Sequence, residues 1–346
     1  LMQMYDNIER PQRAILISID TGDYDAEASL EELKELMRSA GGETIATVSQ
    51  KRDKPDSATC LGSGRLLEVK EFAQANDIDL LVFDCELTPT QIRNLEAETD
   101  IRTIDRTMLI LDIFALHAKT NEGKLQVELA QLKYLMPRLT GKGREMSRLG
   151  GGIGTRGPGE SKLETDRRHI RRRIETLKEE LSHITDRRNQ LRSRRSKDGI
   201  ITVAIVGYTN AGKSTLMNTL TQAGVLSEDK LFATLDPTSR SLKLPNGVSV
   251  MMIDTVGLVR RLPHHLVEAF KSTLEEAALA DIIVNVCDAT SEEYQLHLDV
   301  TTSLLHDLGC ENSPIITAFN KCDLLSPDDI PVSYTHLRAH ETRGNL

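Results

Sequence analysis

The strongest constraint on the fold is one segment, GYTNAGKS, at residues 207–214. It follows the apolar run at residues 200–206, which predicts a buried strand, and it opens a helical pattern over residues 214–223. Strand, glycine loop and helix in this order are the setting in which GxxxxGKS forms a phosphate-binding loop, because backbone N–H groups and the positive end of the helix dipole face the phosphates. The nucleotide-binding residues predicted here are Gly207, Tyr208, Thr209, Asn210, Ala211, Gly212, Lys213, Ser214 and Thr215.

Three further segments complete the pattern of a nucleotide site. These segments are FATLD at residues 232–236, DTVG at 254–257 after the apolar run 248–253, and NKCD at 320–323 after the apolar run 314–319. Open parallel sheets bind ligands outside the carboxyl ends of their strands, so we predict an α/β domain with a doubly wound, mostly parallel sheet. The nucleotide-binding residues predicted in these segments are Phe232, Ala233, Thr234, Leu235, Asp236, Asp254, Thr255, Val256, Gly257, Asn320, Lys321, Cys322 and Asp323.

The phosphate end of this site is predicted to hold Mg²⁺. Ser214 would bind the ion, Asp254 would hold it through water, and Thr234 would complete the shell only while the γ-phosphate is present, which makes its loop a switch. Lys213 would reach the β- and γ-phosphates, and the backbone N–H of Gly257 would bind the γ-phosphate. We therefore predict Ser214, Thr234 and Asp254 as metal ligands, and Lys213, Thr234 and Gly257 as catalytic residues.

Base selectivity and hydrolysis are predicted from single residues. Asp323, at a buried edge of the pocket, would accept both N–H donors of a guanine, and adenine lacks that pair, so the motif favours GTP. Leu258 stands where many such enzymes place a water-orienting Gln, so intrinsic hydrolysis is expected to be slow. Asn210 either helps to coordinate K⁺ or bonds its own backbone. Arg260 and Arg261 are candidates for contact with phosphate or RNA.

Strand and helix signals alternate in the first third of the chain. Strands are predicted at residues 14–19, 44–48 and 80–83. Thr88 and Pro89 mark the start of a helix, since these residue types favour the cap and the first helical position. Such alternation predicts a mostly parallel sheet that is covered by helices.

Other polar features of this region carry weaker signals. The turn GSGR at residues 62–65 either binds an anion or simply starts a helix. Asp84 and Asp105 end predicted strands, and we interpret them as caps or turn residues. No two cysteines form a CxxC pair, which is typical of reduced thiols in a cytosolic protein.

A helical arm is predicted between the two α/β regions. One helix covers residues 124–136 and is limited by Pro137, and a second covers residues 160–195 with apolar residues at heptad spacing. Together they predict an antiparallel hairpin. The connector at residues 141–159 holds eight glycines, so we expect it to be mobile when the protein is alone. Its cations are Lys142, Arg144, Arg148 and Arg156.

Charge is distributed unevenly along the chain. The formal net charge is −9, but residues 137–197 hold eighteen Lys and Arg against eight Asp and Glu. This excess predicts a surface for structured RNA that is recognised by its backbone and shape; the alternative is a solvated basic face. No apolar run approaches the length of a membrane span, and no signal peptide opens the chain, so we expect a cytoplasmic protein without a membrane span.

Several longer strings resemble the HflX family of GTPases. They are GGIGTRGPGE at 151–160 with LETDRR at 163–168, IDRT at 104–107, GKLQVELA at 123–130 and FATLDPT at 232–238. The resemblance implies an N-terminal α/β domain, a helical arm and a G domain with GTP as substrate. It also implies binding to the large ribosomal subunit with the arm near the peptidyl-transferase region, splitting of stalled ribosomes under stress, and stimulation of hydrolysis by ribosomes. We expect the protein to be a monomer off the ribosome. Some members of the family act on ATP through the N-terminal domain.

The resemblance also sets the expected domain boundaries. They are an N-terminal domain at 1–123, the arm at 124–197 and an incomplete G domain at 198–331. Residues 332–346 depart from the family pattern, and we interpret them as an unrelated tail that leaves the guanine pocket half open. Two other functions stay open: a GTPase in ribosome assembly or RNA modification, and a nucleotide-gated RNA-binding module with incidental hydrolysis.

Overall fold

The computed structural model describes residues 10–140, 158–221, 231–232, 238–261, 266, 274–310 and 313–325. Contacts divide the chain into two compact units. The first contains residues 1–186 and 263–269, and the second contains residues 187–262 and 270–346. The predicted division into three domains and a tail stays a prediction.

The first unit contains a four-stranded sheet whose neighbouring strands are all parallel. Its order is β2-β1-β3-β4. Parallel pairing buries both faces of the central strands, and every residue of β3 is buried. The strands are β1 Arg13–Asp20, β2 Glu43–Lys51, β3 Leu80–Phe83 and β4 Arg102–Asp105.

Five helices accompany this sheet, and their starts follow local cap chemistry. The carboxylate of Asp25 accepts the N–H groups of Glu27 and Ala28 at the start of α1. Thr88 and Gln91 form a reciprocal capping box at the start of α3. The helices are α1 Ala26–Ser39, α2 Ser63–Ala75, α3 Pro89–Thr99, α4 Arg106–His117 and α5 Asn121–Leu135.

Leu125, Leu129, Leu132 and Leu135 fall on one side of α5 at helical spacing. Leu125 is buried, and the other three are half-buried. Most of the buried residues lie on the opposite side of the helix, and the helix packs against α4. The fully buried residues of α5 are Gly123, Leu125, Val127, Ala130, Gln131 and Tyr134.

The basic helix of the arm is α6 Pro158–Lys197, with 40 residues. Ile174 and Leu177 on its heptad stripe are buried. Arg173 donates two hydrogen bonds of 2.7 Å to the carboxylate of Glu128 on α5, so the two predicted arm helices are in contact. Residues 141–157, most of the predicted glycine-rich connector, lie outside the described residues.

The second unit is a five-stranded sheet with one antiparallel edge. Its order is β6-β7-β5-β8-β9, and only the pair β6–β7 is antiparallel among the described strands. Apolar clusters cover both faces. The two units together confirm the predicted fold class, which combines a doubly wound, mostly parallel sheet with a parallel α/β region and helical segments. The elements are β5 Ile201–Gly207, α7 Lys213–Thr221, β6 Thr238–Lys243, β7 Ser249–Asp254, β8 Ile282–Asp288, α8 Tyr294–Asp307 and β9 Ile315–Asn320.

Asp84 and Asp105 are buried side chains. Asp105 caps α4 by accepting the N–H of Met108 at 3.0 Å, which confirms its interpretation as a cap. Asp84 is more than a turn residue, because it forms a 2.8 Å ion pair with Arg106 and accepts a 2.6 Å hydrogen bond from Ser29. Among the described helices, none combines the length and apolar character that a bilayer crossing requires.

Candidate nucleotide-binding site

The predicted site residues lie where neighbouring parallel strands end. Strand β5 ends at Gly207, opposite Val286 of β8. Asp254, the last residue of β7, pairs with Ile205, and Asn320, the last residue of β9, pairs with Asp288. The structure therefore brings the GYTNAGKS, DTVG and NKCD segments to one edge of the sheet. Thr234, with the neighbouring residues of 233–237, lies outside the described part of the chain.

Two glycines of the phosphate loop are required by both conformation and space. Gly207 has φ of 144°, and a Cβ there would lie 2.2 Å from the carbonyl oxygen of Val286. Gly212 has φ of 90°, and its Cβ would lie 2.1 Å from Nδ2 of Asn320. Any side chain would displace backbone or a neighbouring motif, so the loop holds its shape only with glycine at both positions.

Lys213 is a buried cation at the first position of α7. Its Nζ donates a 2.8 Å hydrogen bond to the carbonyl oxygen of Tyr208. Burial lowers the pKa of Lys213 to about 8, while the charge of Asp254 acts in the opposite direction. A nearby anion strongly stabilises the charged form of a buried amine. The Lys213 ammonium group is therefore suited to bind phosphate oxygens.

The hydroxyl of Ser214 and the carboxylate of Asp254 form the candidate metal position. Oγ of Ser214 donates to Oδ2 of Asp254 at 2.6 Å. Burial raises the pKa of Asp254, and its Oδ1 finds no hydrogen-bond partner among the described residues. A buried carboxylate oxygen without a partner, next to a hydroxyl, is a hard oxygen donor set of the kind that Mg²⁺ prefers, so the residues present fit the ion.

The segment after Asp254 runs against the phosphate loop. The N–H of Leu258 donates to Gly207 at 3.2 Å, and Leu258 accepts the N–H of Thr209 at 2.7 Å. A Cβ at Gly257 would lie 2.7 Å from Cα of Thr209 and 3.0 Å from Nζ of Lys213. Gly257 is therefore in contact with the loop that would hold the phosphates. Leu258 is buried, so its apolar side chain has a packing role.

The side chains of Thr255 and Phe232 contribute to packing around the loop. Thr255 donates to the carbonyl oxygen of Ile205 at 2.7 Å. The N–H of Phe232, a fully buried residue, donates to the hydroxyl of Thr209 at 3.1 Å. Asn210 has φ of 59°, a left-handed conformation that Asn tolerates better than most residues.

The NKCD segment meets the phosphate loop through its first residue. Nδ2 of Asn320 donates to the carbonyl oxygen of Ala211 at 2.9 Å, and Lys321 forms a 2.7 Å ion pair with Asp288. Asp323 was expected at a buried edge, but its side chain is exposed. It lies in the single 3-10 turn Cys322–Leu324 beyond the strand, where the sheet does not cover it.

One cluster beside the site was missed by sequence reasoning. The rings of Tyr208 and His297 stack with centroids 3.8 Å apart. The N–H of Arg260 donates to the hydroxyl of Tyr208 at 2.7 Å, and the guanidinium of Arg260 pairs with the carboxylate of Glu293. The described structure thus shows Arg260 engaged with its own unit. No local pattern could reveal this cluster, because Tyr208, Arg260 and the helix α8 that carries His297 are far apart in the chain.

The turn at residues 62–65 in the first unit resembles a helix entry. The N–H of Gly62 already donates to Gln50 at 2.9 Å, and Arg65 pairs with Glu68 at 2.5 Å. Donors that the chain itself satisfies are less free to bind an anion. This geometry favours the simpler of the two interpretations.

Comparison with known proteins covers nearly the whole chain. Residues 27–115 match the GTP-binding GTPase N-terminal family, residues 117–195 the GTP-binding GTPase middle region, and residues 202–321 the family described as 50S ribosome-binding GTPase. The crystal structure of SsGBP in complex with GDP superposes with a TM-score of 0.53 at 28% identity, covering 92% of this chain and 85% of that one.

Curated relatives are more similar still. GTPase HflX of Caldanaerobacter subterraneus subsp. tengcongensis is 54% identical over 91% of this chain and 73% of its own length. GTPase HflX of Escherichia coli K12 is 43% identical over 93% of this chain and 76% of its own length. With the phosphate loop, the DTVG and NKCD segments and these relatives together, the chain belongs to the HflX family of GTPases, and it is a P-loop enzyme that hydrolyses GTP.

Proposed function

We propose that this GTPase binds the large ribosomal subunit in its GTP form and couples hydrolysis to the dissociation or rescue of ribosomes under stress. The observation that carries the proposal is the match of residues 202–321 to the 50S ribosome-binding GTPase family. The proposal implies action in the cytoplasm, as a monomer when the protein is off the ribosome.

Helix α6 supports an RNA partner. Arg168, Arg171 and Arg172 are exposed on it, and only Arg171 of these three has an ion pair among the described residues, with Glu164 at 3.9 Å. An exposed pair of this kind is weak and screened by salt, so the three guanidinium groups are available to phosphates. Close Arg contacts to an RNA backbone release counterions, which makes binding strongly salt-dependent.

The positions of Lys213, Ser214, Asp254 and Gly257 support a proposed division of labour in the site. Lys213 would bind the β- and γ-phosphates, and the N–H of Gly257 would bind the γ-phosphate. Ser214, Asp254 through water, and Thr234 would hold Mg²⁺, which when bound would neutralise the charge that develops on the phosphate oxygens. We further propose that Asn320 and Asp323 hold guanine, with Lys321 and Cys322 forming the turn between them.

We propose that ribosome contact raises a slow intrinsic rate. Leu258 is buried and its side chain has no polar atom, so the chain offers no hydrogen bond to a water at this position. In other GTPases, a partner protein that supplies the missing catalytic group near the γ-phosphate raises the rate of hydrolysis by orders of magnitude. A contribution of K⁺ near Asn210 belongs to the same proposal and is tested by exchanging K⁺ for Na⁺.

Ribosome binding is tested by cosedimentation with large subunits in GTP, a non-hydrolysable GTP analogue or GDP. We expect retention with the analogue and release with GDP, and turnover of GTP that rises when subunits are added. Lys213→Ala is the matched control, since it should bind neither nucleotide form well. Equal binding in all nucleotide states, or equal turnover with and without subunits, would reject the proposal.

Sucrose gradients with intact ribosomes separate the remaining functions. Conversion of 70S particles to subunits in the presence of GTP supports splitting. Binding to subunits without loss of 70S particles would favour a role in assembly. Splitting that is unchanged in Lys213→Ala would favour an RNA-binding module in which hydrolysis is incidental.

A further inference from the structure

We propose that Tyr208, His297, Arg260 and Glu293 form a clamp that positions Gly257 against the phosphate loop and thereby sets the rate of GTP hydrolysis. The four side chains are positioning residues. The inference rests on the role proposed for Gly257 at the γ-phosphate. It adds that the segment after Gly257 is held in place at Arg260.

Tyr208 connects the two halves of the site. Its carbonyl oxygen accepts the 2.8 Å hydrogen bond from Lys213, and its hydroxyl accepts the 2.7 Å hydrogen bond from the N–H of Arg260. Its ring lies against His297 with an interplanar angle of 14°. A buried ring that is stacked in this way has little rotational freedom, so the position of its hydroxyl is well defined.

Arg260 holds the far end of the same segment. Its side chain is 9% exposed and pairs with Glu293, the residue that precedes α8. The guanidinium of Arg260 is the desolvated member of the pair, whereas the side chain of Glu293 is 38% exposed. Removing the charge of Glu293 is costly, because it takes this carboxylate from a mostly buried cation. Gly257 and Leu258 therefore lie between two fixed points, Asp254 at the end of β7 and Arg260 in the clamp.

The position of Gly257 is expected to affect GTP hydrolysis more than GDP binding. GDP has no γ-phosphate, so a shift of Gly257 leaves the main contacts of GDP unchanged. The transition state places developing charge on the γ-phosphate oxygens, where a small displacement of one donor costs a large factor in rate. The clamp is thus expected to act on kcat and on affinity for GTP analogues, while GDP affinity is spared.

An opposite interpretation of the same pair is that Glu293 sequesters Arg260, which would otherwise assist catalysis as a cation. The two interpretations predict opposite signs for Glu293→Gln. Release of an anchor lowers the rate, whereas release of a sequestered catalytic Arg raises it. If the pair has only a structural role, Glu293→Gln should lower the stability of the protein and its affinity for all nucleotides together.

The experiment compares Tyr208→Phe, Glu293→Gln and the double variant with the parent chain. Each is assayed for kcat and KM of GTP, for Kd of GDP and of a non-hydrolysable GTP analogue, and for melting temperature. We expect kcat to fall roughly tenfold in each single variant, which corresponds to about 1.4 kcal/mol, while Kd of GDP changes less than about twofold. The double variant should lose little more, because both changes act on one element.

Matched controls lie beside the clamp. Glu292 is exposed, and the hydroxyl of Tyr294 accepts a hydrogen bond from the neighbouring Gln295, so Glu292→Gln and Tyr294→Phe are expected to keep the parent rate. Both Arg260→Lys and Arg260→Met keep the backbone N–H that bonds Tyr208, but only Arg260→Lys keeps a cation beside Glu293, so it should retain more activity. A higher rate in Glu293→Gln, an unchanged rate in both single variants, or a parallel loss of GDP affinity would overturn the clamp. If Gly257→Ala also leaves turnover and analogue affinity unchanged, the role of Gly257 itself fails, which is a separate outcome.

Discussion

The side-chain amide of Asn320 donates a 2.9 Å hydrogen bond to the carbonyl oxygen of Ala211. It connects the end of β9 to the middle of the phosphate loop, so the part of the site proposed for the base and the part proposed for the phosphates are mechanically joined. Gly212 leaves the space for this bond, since a Cβ there would lie 2.1 Å from the same nitrogen.

Gly212→Ala is expected to disrupt this connection. The change adds the strain of a positive φ, about 1 kcal/mol, and a clash with Asn320. We expect Kd of GDP to rise at least roughly tenfold, measured with a fluorescent GDP analogue. Gly247→Ala is the matched control, because Gly247 has φ of 87° but nothing within 4 Å of its Cβ position. Equal affinities for the two variants would show that the clash is relieved at no cost.

Ser214→Ala is expected to weaken the dependence of GTP binding on Mg²⁺. The variant loses the hydroxyl that contacts Asp254 and leaves a second carboxylate oxygen unsatisfied, at a cost of about 1–3 kcal/mol. Titration of a GTP analogue with and without Mg²⁺ measures the effect. Thr219→Ala on the same helix removes a hydroxyl that bonds only the helix backbone among the described atoms, and it should retain the parent response. A full Mg²⁺ response in Ser214→Ala would contradict the site.

His297→Phe is expected to make the protein less sensitive to acid. Burial, with the charge of Arg260, lowers the pKa of His297 to about 4, and Asp288 acts in the opposite direction. The unfolded chain takes up this proton near the ordinary value of 6.5 and the folded chain does not, so this residue costs stability as the pH falls from about 6.5 to about 4.

Denaturant unfolding of the parent and of His297→Phe at about pH 7.5 and about pH 5 tests this sign. The difference in unfolding free energy should shift in favour of the variant at the lower pH. His306→Phe, at an exposed position of the same helix, is the control. A constant difference between parent and variant at both pH values would refute the prediction.

Asp84→Asn is expected to destabilise the first unit by about 3 kcal/mol, because the buried guanidinium of Arg106 loses the charge of a carboxylate that it contacts at 2.8 Å. Glu128→Gln removes one partner of an ion pair whose side chains are 43% and 41% exposed, and it should cost about 0.5 kcal/mol. Amide hydrogen exchange in β3 reports the stability of this unit separately. Similar losses for the two variants would contradict the expected role of burial.

Asp323→Asn is expected to exchange the preference for guanine for one for xanthine. In the proposed site the carboxylate would accept the two N–H groups of guanine, whereas an amide could donate to the carbonyl that xanthine carries in place of the amino group. Competition between GDP and xanthosine diphosphate measures the exchange. Asp307→Asn, at another exposed position, is the control and should keep the preference for guanine. A preference for guanine that is unchanged in Asp323→Asn would show that Asp323 does not contact the base.

The elements that sequence reasoning predicted are those with a local signal. The apolar run before Gly207 predicts a strand, and the structure shows β5 there. The cap residue Thr88 and the following Pro89 predict a helix start, and the structure shows α3 there. Similarly, GxxxxGKS lies between a strand and a helix. The burial of Asp323 was wrong because it depends on what covers the turn after the strand, which no local pattern states.

The missed elements lack such signals. Strand β6 has the sequence TSRSLK and is mostly exposed, so only its pairing with β7 makes it a strand. Helix α4 is apolar on most of its surface and buries residues all round, which hides the helical period. The pairs Asp84–Arg106 and Tyr208–His297 join distant parts of the chain, and long-range contacts of this kind follow from topology rather than from spacing.

Strand β5 lies between β7 and β8 at the centre of the described sheet and leads directly into the phosphate loop at Gly207. Central strands open at a free energy close to that of global unfolding. The phosphate loop is therefore expected to keep its shape until the second unit unfolds as a whole.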